Sequence, residues 1–306
     1  MFDIKIGTVI PADSARTVIP QLNRKGFESY ELDFNGRLPR MFSGMEDHAK
    51  AVLEAAEGRP VSAVGYYCNP LLDPDARENL KNLIRRAKLY GCPVVSTFAG
   101  GDPSKSVPET IPLFREVFTE LCGIAEGEGV KLALEGCGSG WKRGSTNIAY
   151  CPAAWDLIFD AVPSDALALE WEPAHAVTQL MDPVAQLRKY ARRVAHVHGK
   201  DGTVDWDVIR EKGLDGGTPV AWDRTPGFGD SNWADFFTVL LRAGFVGACD
   251  IEGYHDPVHY DDMEWTAQVT ALEYLKRCRG GVEEFPGPEE YRGYQGTRKR
   301  PPQTGV

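Results

Sequence analysis

Four short apolar runs in this chain end in side chains that bind cations. The run at 131–135 ends in Glu135, and the run at 167–175 carries Glu170, Glu172 and His175. Residues 193–198 end in His196 and His198, and residues 247–252 end in Asp250 and Glu252. A short, nearly continuous apolar run is the pattern of a buried strand. An ionisable group there is costly unless something compensates it. Three carboxylates gathered into one poorly solvated pocket repel each other and do not all stay ionised without a cation. A divalent metal resolves the repulsion. Three oxygen donors and one imidazole suit a hard to borderline ion, with Mn²⁺ the first choice and Mg²⁺, Co²⁺ or Zn²⁺ the alternatives.

Whether the four runs meet depends on the elements that carry them. Apolar runs at 4–9, 27–33, 61–67, 93–97, 130–135, 165–171, 193–197 and 245–251 alternate with helical patterns at 12–25, 44–57, 73–90, 109–128, from Pro152, from Asp182-Pro183, at 231–243 and at 261–279. Eight strand-then-helix units over about 280 residues predict a single-domain (β/α)8 TIM barrel over 1–280. A doubly wound sheet would carry a Gly-rich fingerprint after its first strand, and residues 10–13 hold no glycine. Residues 281–306, rich in Pro, Gly and charge, read as a tail that packs on the surface or is disordered. A barrel of this kind places its site at the C-terminal mouth. Glu135, Glu172, His198 and Glu252 then form an arc from strands five to eight, and are the expected metal ligands. Glu170, His196 and Asp250 lie two residues earlier on the same sides of their strands. They read either as a layer that orients the ligands or as alternative ligands.

Composition bounds the partners. The 306 residues are 42% hydrophobic and 25% charged, ordinary for a globular protein, with a net charge of -10. That charge argues against nucleic acid and against an anionic membrane surface. No apolar run is long enough to span a bilayer. The N-terminus lacks a signal-peptide pattern, and seven cysteines without a CxxC pair fit a reducing compartment. A cytoplasmic location is expected.

Several motifs together resemble the xylose-isomerase-like TIM-barrel sugar isomerases and epimerases. They are Leu134-Glu135-Gly136, Glu172-Pro-Ala-His175, His196-Val-His198-Gly-Lys-Asp201 and Asp250-Ile-Glu252, with Asn69-Pro70 and Pro226-Gly-Phe-Gly229. The family's four ligands fall on Glu135, Glu172, His198 and Glu252, with Glu172 standing where Asp is usual. The resemblance implies proton transfer beside a carbonyl, with Glu135 and Glu252 as acid and base and His175 touching substrate. Lys200 is expected to hold a hydroxyl or polarise the carbonyl, a surface lysine being its plain alternative. Trp141 is expected as an aromatic wall for a sugar, or else as a packed loop side chain. Tyr66, Tyr67, Trp171 and His255 are further pocket candidates. The turn at 226–229 could bind phosphate, but Asp230 is expected to cap the following helix and set a carboxylate there. The substrate read from this is an unphosphorylated sugar, keto-sugar or polyol derivative, handled by a carbohydrate isomerase or epimerase. A lyase on the same scaffold, of the inosose-dehydratase or 3-keto-glycoside deglycosidase kind, is the alternative. A metal-dependent endonuclease is the remote one, disfavoured by six histidines and the acidic charge. Similar proteins are commonly dimers or tetramers, so a homo-oligomer is expected.

Overall fold

In the computed structural model, which describes residues 2–284, eight parallel strands close into a barrel. They are β1 (Ile4–Pro11), β2 (Tyr30–Asp33), β3 (Val61–Gly65), β4 (Val94–Thr97), β5 (Lys131–Glu135), β6 (Leu167–Trp171), β7 (Val194–Gly199) and β10 (Gly247–Ile251). Strand β1 pairs with both β2 and β10, which closes the ring. The (β/α)8 expectation holds. Most of the expected tail, from residue 285 onward, lies outside the described residues.

The outer layer holds α1 (Ala15–Lys25), α2 (Met45–Ala56), α3 (Pro74–Arg86), α4 (Val107–Glu128), α5 (Pro152–Ala161), α7 (Pro183–Tyr190), α9 (Trp233–Ala243) and α10 (Asp262–Arg279). Their starts follow local chemistry. Asp73 accepts from the N–H groups of Asp75 and Ala76 with Pro74 at the first helical position, and Ser106 and Glu109 cap α4 reciprocally. Gly129 ends α4 at φ 72°, a left-handed conformation that costs glycine little. At its far end α10 locks onto the barrel, because Arg279 donates to the Ile4 carbonyl at 2.8 Å and to the Glu28 carboxylate.

The expected insertion at 200–230 has structure of its own. Strands β8 (Asp201–Val204) and β9 (Ala221–Arg224) pair antiparallel around α8 (Trp206–Lys212), and the hairpin packs against the short helix α6 (Pro173–Thr178) that follows β6. Asp230 does not cap α9, contrary to expectation. The cap is Asn232, whose side chain accepts from the Asp235 N–H, while Asp230 accepts from the Val204 N–H at 2.9 Å and pins the hairpin. Asp230 stands three residues before the helix, too far back to reach its first free N–H groups.

Between strands and helices the core is aromatic and aliphatic, with Phe114, Phe118, Trp233, Phe236 and Phe237 all buried. Each large side chain of this kind contributes about 1.5–3 kcal/mol by leaving water. Inside the barrel the character changes along the axis. At the N-terminal end a cavity of about 1010 Å³ opens, lined among others by Val61, Val94, Ala168, Ala195 and Ala248. Towards the C-terminal mouth the interior turns polar.

Candidate metal centre

Glu135 ends β5, Glu172 follows β6, His198 lies in β7 and Glu252 follows β10. Strand alternation turns all four inward. Their ligand atoms lie within 4.8 Å of one another, and all four residues are buried. Both Glu172 carboxylate oxygens, Glu252 Oε2 and His198 Nδ1 are buried without a hydrogen bond. A buried acceptor left unmade costs about 1–3 kcal/mol, and more for a charged one. Native proteins rarely tolerate several at one point unless a ligand satisfies them. The donor set and the orphaned atoms fit a divalent cation.

Two side-chain cations lean on this group without satisfying it. Lys200 Nζ is 3.0 Å from Glu252 Oε2 and 3.9 Å from Glu172 Oε1, and sits 5.3 Å from the centre of the Tyr254 ring. His175 Nε2 lies 3.1 Å from Glu135 Oε1 and 3.3 Å from Glu172 Oε1. The contacts to Glu172 and Glu252 are ion pairs by distance but are not aligned as hydrogen bonds. Burial pushes Glu135 up to about 7; the His175 hydrogen bond opposes the rise, and the charges of Glu172 and Glu252 add to it. Burial would raise Glu252 too, but the Lys200 ammonium and His198 hold it down at about 2. Glu172 is held well below the usual carboxylate range, against its burial, by His175 and Lys200. Those carboxylates in turn keep His175 and Lys200 charged, each well above its usual value in spite of burial. Two carboxylates in one pocket are thus driven apart.

Below this group lies a second polar set that is fully paired. His196 is held between Glu170 Oε1 and Asp250 Oδ2, each at 2.8 Å. Ser96 donates to Glu170 at 2.5 Å, and Ser29 and Ser62 donate to Asp250. Glu170, His196 and Asp250 thus form a layer held by serines and by one another, and Glu170 and His196 also lie with Glu31 and His198 in a second cluster whose ligand atoms are within 4.8 Å of one another. Sequence reasoning missed Glu31 of β2, which joins this layer by accepting from His198 Nε2 at 2.8 Å. The available signal was the polar alternation Ser29, Glu31, Asp33 in an otherwise apolar strand. Two glycines make room. A Cβ at Gly7 would come within 2.0 Å of Asp250 Oδ1, and one at Gly65 within 2.7 Å of Glu31 Oε1.

The remaining candidates divide. The Tyr67 hydroxyl lies 2.7 Å from Glu31 and 2.8 Å from Glu170, within the paired layer, while its half-buried ring packs beside Phe98. His255 is exposed at φ 81° with its ring against Tyr254. Trp141 is 37% exposed in the loop after β5, its carbonyl accepting from the Val107 N–H. Two pocket candidates are overturned. Trp171 points outward onto Phe236, since it alternates with Glu170 and Glu172, and Tyr66 turns to Asn79 of α3. Cys137, which sits with Glu135 and His175, and Tyr254 were not foreseen at the site.

The carboxylate packed against the turn at 226–229 is that of Asp201 and not, as expected, that of Asp230. Asp201 Oδ1 accepts from the Gly202 and Ser231 N–H groups, and Trp233 Nε1 donates to its Oδ2 at 3.0 Å. A Cβ on Gly229 would meet Asp201 Oδ1 at 2.4 Å.

A family model described as a xylose isomerase-like TIM barrel matches residues 19–278. An inosose dehydratase of Clostridium tetani is 25% identical over 124 residues, which is 40% of this chain and only 41% of that protein. YfiH, an uncharacterised protein of Bacillus subtilis, is 24% identical over 292 residues, covering 82% of this chain and 91% of its own. Among solved structures, the 3-keto-D-glucoside 4-epimerase of E. coli superposes with a TM-score of 0.67 at 15% identity, over 90% of this chain and 100% of that one. The mannonate dehydratase of Streptococcus suis gives 0.68 at 13% identity, over 92% and 97%. At such identities the structural likeness is one of fold, whereas the family match runs through nearly the whole barrel. The chain belongs to the xylose isomerase-like TIM barrel family.

Proposed function

We propose that this protein is a divalent-metal-dependent isomerase or epimerase that moves a proton at the carbon next to a carbonyl of an unphosphorylated sugar, keto-sugar or polyol derivative. The observation that carries the reading is the meeting of Glu135, Glu172, His198 and Glu252 at the barrel mouth with donor atoms left unpaired. These four would hold the cation, with Mn²⁺ favoured by the mixed oxygen and imidazole set. When bound, it supplies positive charge to the carbonyl and neighbouring hydroxyl oxygens, which makes the adjacent C–H more acidic.

The chain's own residues handle the proton. Glu252, beside Lys200, and Glu135, beside His175, are the carboxylates placed to take the proton and to return it. Lys200 and His175 present N–H donors beside these carboxylates, where they can hold substrate oxygens. The Asp201 carboxylate packed against Gly229 would repel a phosphate at the turn 226–229, which supports a substrate without one.

A lyase reading has its own support. His175, held cationic 3.1 Å from Glu135, could protonate a leaving hydroxyl, and the Clostridium tetani relative is a dehydratase. One experiment separates the readings. The Mn²⁺-loaded protein is incubated in D₂O with a panel of ketoses, inososes and 3-keto-glycosides and followed by NMR. Deuterium at the carbon beside the carbonyl, with the substrate skeleton intact, is expected. Loss of water or of the aglycone would select the lyase. No exchange with any member of the panel sinks the proton-transfer mechanism.

A further inference from the structure

We propose that Glu31 is a positioning residue for His198, holding its Nε2–H so that Nδ1 faces the metal. The inference rests on the metal-centre reading above and assigns a role to a residue outside the ligand set. The two ring nitrogens of His198 see different surroundings. Nε2 lies 2.8 Å from Glu31 Oε2, 3.2 Å from Glu170 Oε1 and 3.2 Å from the Tyr67 hydroxyl. Nδ1 lies 3.5 Å from Glu172 and 3.3 Å from Glu252, and makes no hydrogen bond. An imidazole binds a metal through the nitrogen that carries no proton, and the hydrogen bond at the other nitrogen decides which one that is.

Glu170 is the competing acceptor, but its Oε1 already takes Ser96 at 2.5 Å and His196 at 2.8 Å. Glu31 Oε2 has His198 as its short partner, and the Tyr67 hydroxyl steadies the other oxygen at 2.7 Å. The position is built for this contact. Glu31 is fully buried, and Gly65 on the next strand leaves out the Cβ that would strike both Glu31 Oε1 and the Tyr67 ring. A carboxylate so placed fixes both the tautomer and the tilt of the ring.

The test is a calorimetric Mn²⁺ titration of the wild-type protein and of Glu31→Gln, Glu31→Leu and Glu172→Gln. It is joined to a ¹⁵N–¹H correlation spectrum of the wild type loaded with diamagnetic Mg²⁺. Removing the acceptor is expected to weaken Mn²⁺ binding by about 10–100-fold in Glu31→Leu. Glu31→Gln, which keeps an oxygen acceptor, should recover part of that loss, a graded rescue that a merely space-filling role would not give. The spectrum should show His198 protonated at Nε2 and not at Nδ1, a readout that needs no variant to fold. Equal affinity of Glu31→Leu and wild type, or a proton at Nδ1 in the loaded protein, overturns the assignment. If the wild type itself bound no divalent ion, the failure would lie with the metal centre and not with Glu31. If only Glu172→Gln lost binding, the centre would stand and Glu31 would not.

Discussion

Two sets of three carboxylates share the barrel interior, one residue pair apart along the strands. The upper set is Glu135, Glu172 and Glu252, and the lower is Glu31, Glu170 and Asp250. Both are buried, both lean on a histidine of β7, and Glu170 and Asp250 precede Glu172 and Glu252 by only two residues. They differ in pairing. Each lower carboxylate is held by serine, tyrosine or imidazole donors at 2.5–2.8 Å or closer. In the upper set, both oxygens of Glu172 and one of Glu252 have no such donor. A satisfied buried network rigidifies its surroundings, whereas an unsatisfied one stores a demand that a ligand can meet. Lone-pair bookkeeping, more than burial or charge, separates the residues that hold the scaffold from those expected to hold the cation.

Substitution in the upper set should therefore damage activity more than stability. Glu252→Gln is expected to lower kcat/KM by about 10³-fold, in the range for losing one acid–base group. The metal-free Glu135→Gln protein, by contrast, should unfold at an unchanged or slightly higher urea concentration, because burial and the charges of Glu172 and Glu252 raise Glu135 to about 7 and make its ionised form unfavourable in the fold. A large fall in the urea midpoint with activity retained would erase the contrast between the two sets.

Asp250→Ala probes the lower set, and the expected loss is stability. The variant leaves His196 Nε2, Ser29 and Ser62 without their acceptor. Breaking a buried pair by removing one partner costs about 3 kcal/mol or more. The urea midpoint of the metal-free protein is the measurement, compared with Glu135→Gln under the same conditions. If Asp250→Ala were as stable as wild type, the lower network would not be the structural member of the comparison.

Much of this was legible because strand alternation and the mouth rule need only local patterns. A polar residue closing an apolar run marks an inward side chain at the C-terminal end, which is how Glu135, Glu172, His198 and Glu252 were found. Trp171 was legible by the same rule, since period two puts it on the face opposite Glu170 and Glu172. Glu31 was not. It sits inside β2 rather than at its end, 167 residues from His198, and a register shift between Tyr30 and Glu31 alters its pairing with β3. No local pattern says which strand's interior carboxylate lies beneath a histidine across the barrel. The β8–β9 hairpin was missed because residues 221–224 are all half-buried and lack an apolar alternation. At α9, Asp230 and Asn232 are both capping residues, and only the placed backbone shows which one reaches a free N–H.

The comparison extends to a carboxylate at the mouth that is nonetheless fully paired. Asp256, in the loop after β10, is buried. Its Oδ2 accepts from the Thr225 N–H at 2.8 Å, and its Oδ1 accepts from the Val258 and His259 N–H groups at 2.8 and 3.1 Å. Burial alone would raise its pKa, but these three N–H donors hold it well below the usual carboxylate range. By the pairing rule it is structural, although it lies only four residues from Glu252. Asp256→Asn leaves at least one N–H facing an amide NH₂ and is expected to cost about 1–2 kcal/mol at neutral pH, with Mn²⁺ affinity unchanged. A depressed folded-state pKa contributes stability that is present above the unfolded value, about 3.9, and is lost as pH falls through the folded one. The gap between wild type and Asp256→Asn should thus be full at pH 7 and shrink below about pH 4. Urea midpoints across that range, set beside Mn²⁺ titrations, decide it. A variant that kept its stability but lost the metal would place Asp256 in the upper set and show that pairing alone does not sort the two.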